Sequence, residues 1–393
     1  MNRLVVLLRR STHSTSFIPE IDGLRFYAIM TVVVYHLNTA FARQLNLADL
    51  GSSLLGGRNS LLHAGWWIIR LDLGVKVFFA ISGFVLALPF LRYYLLGGKP
   101  IKINAYFYRR LTRLEPPFIL SLVLFLCVHV FVLKESLATL LPHFSAGIIY
   151  GHVFIFGAPN PINPVTWSLE TEAQFYLLVP FFFALLFLIR KNWYAALVIV
   201  GAFSCSVFLR GYFINHGISQ LSTSVLAFGS NFLVGIVCAW IYLSFPSFIK
   251  KKGLYWDLLG LCFVFGQFFW YKPQDYWLNN VLFNLCILGM ILAVFKGILL
   301  NWFFSQPLVY VIGGMCYSIY LLHYAFFHLL IKFTAHLQIG LGYGTDLFVQ
   351  MLVCIPIVLM LSSLFFLLIE KPCMDKNWPQ RLSNWFKKKL SIG

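Results

Sequence analysis

The chain alternates long apolar runs with short polar segments. Apolar runs of about 17 to 25 residues have the length that crosses a bilayer as an α-helix. This pattern predicts ten spanning helices, near residues 24–42, 74–96, 114–133, 173–190, 193–210, 221–245, 254–271, 277–297, 308–333 and 346–369. We therefore expect an all-α integral membrane protein with about ten transmembrane helices.

The composition is typical of a membrane protein and not of a soluble protein. Hydrophobic residues make up 60% of the 393 residues, and charged residues only 11%, whereas soluble domains carry roughly 25% charged residues. The eight cysteines show no paired spacing and no CxxC, which argues against a disulfide framework and against a metal site.

The net charge of +17 comes from lysines and arginines that lie mainly between the predicted helices or at their ends. If the N-terminus is cytoplasmic, 22 of the 30 lysines and arginines fall in cytoplasmic segments or at the adjoining helix ends. Lys and Arg are enriched on the cytoplasmic side of membrane proteins. The charge therefore predicts that both termini are cytoplasmic, and it requires no nucleic-acid partner.

The first predicted helix keeps ionisable side chains inside the apolar run IDGLRFYAIMTVVVYHL. His36 lies eleven positions after Arg25, which is about three helical turns plus 20° and a rise of about 16 Å. Both side chains therefore lie on one face. Arg25 could snorkel to the headgroups and His36 could merely bond a neighbouring helix. An ionisable residue at such depth nevertheless indicates a functional site, and an imidazole is suited to act as a general base.

The second predicted helix contains GVKVFFAISGFVLALPF. Because Ser82 and Gly83 are small, another group can come close to the helix backbone there. The approaching group could be a ligand or another helix, since small residues are common where membrane helices pack. The residues alone leave both interpretations open.

Three arginines precede the third helix in YFYRRLTRLEPPF. Arg109, Arg110 and Arg113 lie within one or two turns, and guanidinium groups suit phosphate oxygens. The alternative is that they only supply positive charge for topology.

Acidic residues open the fourth helix in NPVTWSLETEAQFYLLVPFFF. Glu170 or Glu172 could simply stabilise the positive N-terminus of that helix. Beside Trp167 and Ser168, on the predicted exoplasmic side, the two carboxylates could also receive a polar acceptor.

The ninth helix carries polar side chains in CYSIYLLHYAFFHLL. An aromatic belt at the membrane interface explains Tyr317 and Tyr320. It explains His323 less well, because a histidine within the membrane is unusual.

Taken in order, the motifs IDGLR…H, FFAISGF, YRRLTRLEP, WSLETEAQFY, YSIYLLH and IEKP resemble the membrane-bound acyltransferase family 3. The resemblance extends over residues 21–372. It implies one membrane acyltransferase domain over 1–393, with a core at 18–372 and a short basic cytoplasmic tail at 373–393. Some members carry an appended SGNH hydrolase-like domain, which is not expected in this chain. The implied location is the bacterial inner membrane.

The resemblance also implies roles for individual residues. The catalytic set would be His36, Arg25 and Glu172. The donor acyl-CoA would bind at Arg110, Arg113, Ser82 and Gly83. The acceptor would bind at Trp167, Ser168, Tyr320 and His323. No metal and no permanently bound cofactor are implied.

The implied reaction is transfer of an acyl group, usually acetyl, from cytoplasmic acyl-CoA to a hydroxyl of a cell-surface glycan or lipid-linked saccharide. Two alternatives stay open. Charged side chains within the predicted helices and the arginines that precede the third helix also suit a transporter or flippase of a lipid-linked or anionic substrate. The acceptor could also be a small hydroxylated metabolite.

Overall fold

The structure, a computed structural model, describes residues 2–10, 17–46, 64–189, 191–271, 277–375 and 377–381. Within these ranges it is helical and contains no strand. Each of the ten predicted segments contains a long helix. These helices are α1 Pro19–Gln44, α2 Leu73–Leu96, α3 Ile103–Cys127, α4 Trp167–Leu186, α5 Asn192–Asn215, α6 Val225–Ser244, α7 Leu254–Trp270, α8 Trp277–Lys296, α9 Cys316–Thr334 and α10 Tyr343–Phe365.

Eight helices in the described part of the chain are long and apolar enough to cross a membrane. Of the ten long helices, α1 and α7 are not among them. α1 has 26 residues but includes ionisable and polar side chains, and α7 has only 17 residues, fewer than the roughly 20 of a typical spanning helix. A count of ten crossings therefore stays a prediction.

The ninth predicted segment is broken into two helices. Pro307–Gly314 precedes α9, and Met315 separates them. Gly313 lies against the backbone of α1, where an added Cβ would overlap the carbonyl oxygen of Asp22. The sequence prediction of one continuous helix over 308–333 was wrong, because apolarity alone does not reveal where a chain bends to follow a neighbouring helix.

The centre of the bundle is a close contact between α2 and α6. Gly83 on α2 lies against the carbonyl oxygen of Phe232, and Gly235 on α6 lies against that of Ala80. Because lipid gives helices little hydrophobic reason to associate, such close packing at small residues contributes much of their attraction. A buried apolar cluster on α2, α4, α6 and α8 surrounds this contact.

The helix α1 lies between α2 on one side and Pro307–Gly314 with α9 on the other. A separate apolar cluster joins α3, α4 and α9 through side chains that include Phe118, Leu122, Leu169, Leu321 and Leu322. This arrangement brings α1, α2, α3, α4 and α9 around one polar interior, which contains most of the residues singled out from the sequence.

The chain after α10 returns to α3. The indole nitrogen of Trp378 donates a hydrogen bond to the carbonyl oxygen of Thr112 at 2.9 Å. Residues 382–393, which hold most of the predicted basic tail, lie outside the described part of the chain.

Candidate active site

Arg25 is held inside the bundle by a buried carboxylate. Its guanidinium pairs with Asp22, which is 2% exposed, and Asp22 also pairs with Arg10 at 3.5 Å. Burial and the nearby charge of Arg25 lower the pKa of Arg10 to about 10, so Arg10 stays protonated at neutral pH. Two cations thus share one carboxylate. The Arg25 side chain is 12% exposed and does not snorkel to solvent.

His36 lies among aromatic rings further along α1. Its ring centroid is 5.2 Å from Tyr35 and from His323, and 5.3 Å from Tyr324. The Nδ1 atom of His36 is buried and has no hydrogen-bond partner among the described residues. Helical spacing therefore brings Arg25 and His36 to the same interior, as the sequence predicts.

Glu172 lies within this interior. Its carboxylate accepts a hydrogen bond from the hydroxyl of Ser82 and lies within electrostatic range of Arg25. Tyr176, one turn further along α4, contacts both Glu172 and the guanidinium of Arg110. Although the sequence predicts Glu172 on the exoplasmic side, α4 thus brings it near Arg25 and, through Tyr176, near Arg110.

Glu170 points to a different part of the molecule. Its Oε2 accepts a hydrogen bond from the backbone nitrogen of Val153 at 3.0 Å, at the start of the short helix His152–Phe156. The two carboxylates of WSLETE therefore have separate roles. Glu172 faces the polar interior, and Glu170 attaches a surface helix to α4.

Arg110 and Arg113 both reach the interior. The guanidinium of Arg110 stacks 4.1 Å from the ring centroid of Tyr106. Arg113 interacts electrostatically with the buried carboxylate of Glu370. The Nε atoms of both arginines are buried and have no hydrogen-bond partner in the described ranges. Buried donors of this kind normally have partners, so these two N–H groups can donate hydrogen bonds to oxygens of a ligand.

Arg109 lies apart from these two. It is exposed and, with Tyr108, Thr112 and Asn377, lines an outer groove of about 230 Å³. The three arginines therefore do not act as one cluster, because neighbouring positions on a helix face different directions.

Glu370 was not assigned a role from the sequence. It is 1% exposed, and Oε2 accepts hydrogen bonds from the backbone nitrogen and the hydroxyl of Ser318. It thereby joins the π-helical turn Phe366–Glu370 to the start of α9. The signal that could have found it is an acidic residue at the end of an apolar run, since ionisable residues at membrane depth have a function by default. The same signal applies to Asp22.

Gly83 lies in the close contact between α2 and α6. A Cβ added there would overlap the backbone of Phe232, so α6 occupies the space that a donor would need. The assignment of Gly83 to donor binding stays a prediction, which this contact does not favour. The packing interpretation, which the sequence left equally open, accounts for this residue, while Ser82 beside it faces Glu172.

The residues assigned to the acceptor bind mainly one another. Ser168 and Tyr320 share a hydrogen bond of 3.0 Å between their hydroxyls, and the hydroxyl of Tyr320 also donates to the carbonyl oxygen of Val165. Trp167 packs against Phe228, with ring centroids 5.6 Å apart. These contacts join the start of α4 to α9 and α6.

The interior therefore holds cations near one end of α1 and imidazoles further along it. Arg10, Arg25, Arg110 and Arg113 surround the acidic groups Asp22, Glu172 and Glu370. His36 and His323 follow. The described residues contain no group of three or more His, Cys, Asp or Glu side chains that could hold a metal ion. This arrangement permits binding of an anionic ligand near the arginines, with imidazoles further along α1.

Comparison with known proteins agrees with this chemistry. A family model described as an acyltransferase domain matches residues 18–368. The chain belongs to this acyltransferase family. The resemblance found from the ordered motifs is thus confirmed, and the apolar helices of the acyltransferase fit a multi-pass membrane protein.

Curated relatives of the acyltransferase are O-acetyltransferases. The O-acetyltransferase OatA of Staphylococcus aureus is 26% identical over 338 residues, which cover 79% of this chain and 51% of that protein. The peptidoglycan O-acetyltransferase OatA of Listeria monocytogenes is 27% identical over 344 residues, covering 80% of this chain and 50% of that protein. The chain spans about half the length of the curated relatives it matches. No solved structure gives a significant match.

Proposed function

We propose that this acyltransferase moves an acyl group, in particular acetyl, from cytoplasmic acyl-CoA to a hydroxyl of a cell-surface glycan or lipid-linked saccharide. Family membership supports acyl transfer, and the names of the relatives support acetyl as the group and a cell-wall glycan as the acceptor. The proposed location is the bacterial inner membrane, with both termini in the cytoplasm.

The observation that carries the proposal is the position of Arg25 and His36 on one inward face of α1. A buried arginine held by Asp22 and an imidazole without a hydrogen-bond partner share one interior. In the proposed reaction His36 takes the proton of the acceptor hydroxyl as a general base. Arg25 stabilises the negative charge that develops on the thioester carbonyl oxygen.

The donor is proposed to enter at the end of the bundle that holds the arginines. Arg110 and Arg113 would bind the phosphates of acyl-CoA through nitrogens that have no partner in the described structure. Guanidinium groups suit this role because they present several donors in a fixed plane. Glu172 would position Ser82 and Tyr176 beside the thioester, and Trp167, Ser168 and Tyr320 would form the wall on the acceptor side.

The test is incubation of the purified protein with labelled acetyl-CoA and membranes that carry the native acceptor. Acyl transfer releases CoA and puts label into the acceptor, whereas a transporter or flippase consumes no thioester. Label in a small soluble product instead of a glycan would show that the acceptor is a hydroxylated metabolite.

His36→Ala provides the matched variant for this assay. Removal of a general base typically lowers a rate by 10² to 10⁴, and we expect a loss within this range while membrane insertion and expression are unchanged. Activity within about threefold of the unmodified protein would exclude His36 as the base.

A further inference from the structure

Two facing histidines have buried nitrogens without partners. His36 on α1 and His323 on α9 have ring centroids 5.2 Å apart and ring planes at 51°. Among the described residues, Nδ1 of His36 and Nε2 of His323 are buried and make no hydrogen bond. Buried polar atoms nearly always have hydrogen-bond partners. Two unpaired nitrogens on adjacent rings can therefore be explained together.

The backbone determines which nitrogen of the neutral His323 ring holds the proton. Nδ1 of His323 is 3.0 Å from the carbonyl oxygen of Ile319 and 2.8 Å from that of Tyr320. A carbonyl oxygen only accepts hydrogen bonds, so Nδ1 must donate. Nε2 then carries a lone pair. His323 is 0% exposed, and this lone pair faces the interior rather than solvent.

The other two described rings in contact with His36 are phenol rings, which have no ring nitrogen. Tyr35 and Tyr324 contact His36 edge-on, with planes at 77° and 85°. The hydroxyl of Tyr324 accepts a hydrogen bond from Arg43 at 3.3 Å. Of the described rings in contact with His36, that of His323 therefore presents a buried acceptor nitrogen without a hydrogen-bond partner.

We propose that His323 is a positioning residue for His36, rather than a residue that binds the acceptor. Nε2 of His323 accepts a hydrogen bond from Nδ1–H of His36 when the site closes on its substrates. This bond leaves the lone pair of His36 on Nε2, where a base must carry it, because the tautomer of an imidazole is set by the bond that its other nitrogen makes. The proposal rests on His36 being the base of the proposed function.

The proton balance of the step is simple. His36 takes the hydroxyl proton at Nε2 as the acceptor oxygen forms its bond to the acyl carbon. The bond from the acyl carbon to sulfur breaks, and the thiolate of CoA receives the proton from His36. His323 gains and loses no proton. It stabilises the imidazolium form of His36 through the hydrogen bond at Nδ1 and fixes the orientation of the ring.

The test compares His323→Leu with His323→Gln in the full-length protein, using labelled acetyl-CoA and acceptor-bearing membranes. Loss of a hydrogen bond to a charged group corresponds to roughly 10- to 100-fold in rate. We expect His323→Leu to lower kcat by this factor, with the KM for acetyl-CoA unchanged. Gln offers an amide oxygen near the position of Nε2, and we expect it to restore most of the rate. If His323→Leu does not fold, His323→Asn replaces it, because its shorter amide cannot reach His36.

His328→Leu is the matched control, since His328 lies on the same helix and also has a buried Nε2 without a partner among the described residues. We expect its activity to stay within about threefold. If His323 acts through His36, adding His323→Leu to His36→Ala should lower the rate of transfer no further. Full activity of His323→Leu, no recovery with Gln, or a further loss of activity when His323→Leu is added to His36→Ala would each overturn the proposal. An active His36→Ala would instead refute the proposed function.

Discussion

At the scale of single residues, adjacent positions in one motif have different roles. Glu170 and Glu172 are two residues apart, yet one contacts the backbone of Val153 and the other contacts Ser82. Two steps along an α-helix turn the side chain by about 200°. Substitutions within a motif therefore should not have equal effects.

Glu172→Gln should lower the turnover of acyl transfer while leaving the protein folded. The carboxylate accepts a hydrogen bond from Ser82 and lies near Arg25. A hydrogen bond to a charged group is worth about 1.5–3 kcal/mol, which corresponds to roughly 10- to 100-fold in rate. Steady-state kinetics on the purified variant, together with binding of acetyl-CoA, would measure this loss.

Glu170→Gln is the control for this change. Glu170 attaches the helix His152–Phe156, so its amide analogue should cost some stability and leave kcat close to that of the unmodified protein. Equal losses of turnover in the two variants would contradict the division of roles between the carboxylates.

Replacing Arg110 and Arg113 together with Ala should raise the apparent Kd for acetyl-CoA by at least tenfold. Each charge-assisted contact to a phosphate contributes about 1.5–3 kcal/mol. Arg109→Ala removes the same charge from the exposed groove and should leave the affinity within about threefold. An unchanged Kd in the double variant would mean that these arginines only supply positive charge that orients the protein in the membrane.

At the scale of helices, the contact between α2 and α6 holds the site in place. Both helices approach through glycines, and each glycine lies against the carbonyl oxygen of the other helix. Because Ser82 directly precedes Gly83 on α2, its contact with Glu172 depends on where the glycine contact places the helix. A substitution in this contact should act on stability first.

Gly83→Ala should therefore destabilise the purified protein by about 1–3 kcal/mol, the usual cost of overpacking. The KM for acetyl-CoA should not change in the fraction that remains folded. Gly201→Ala on α5, where an added Cβ meets nothing within 4 Å, should be neutral or slightly stabilising because Ala favours helix. Thermal unfolding in detergent measures both. A raised KM without lost stability would restore Gly83 to the donor site.

At the scale of the whole molecule, the proposed function requires that the arginine end of the interior face the cytoplasm. The distribution of Lys and Arg predicts this orientation. It also places the helix Leu137–Ile148, between α3 and α4, on the opposite side of the membrane from Lys250.

Cysteine labelling would measure the orientation. In a variant without the eight native cysteines, Ser145→Cys should react with a membrane-impermeant maleimide in intact cells. Lys250→Cys should react only after the cells are permeabilised. Both positions are exposed in the structure. The reverse pattern would place the donor site outside the cell and would contradict the use of cytoplasmic acyl-CoA.

The class of protein, the approximate positions of the long helices and the placement of Arg25 and His36 on one face of α1 follow from the sequence alone. These properties are local. Apolar length decides whether a segment can span a bilayer, and 3.6 residues per turn decide which side chains share a face. The ordered motifs also led to the correct family, because each is a short contiguous pattern.

Only the tertiary structure decided which side chains meet across helices. It brought Glu172 to Ser82, Glu370 to Ser318 and His323 to His36, over separations of 90, 52 and 287 positions along the chain. It also assigned Gly83 to a helix contact and broke the ninth predicted helix. The physical reason is that an apolar surface in lipid does not specify its neighbour. Small residues and polar contacts select the partner helix, and their effect depends on a surface that is distant in the sequence.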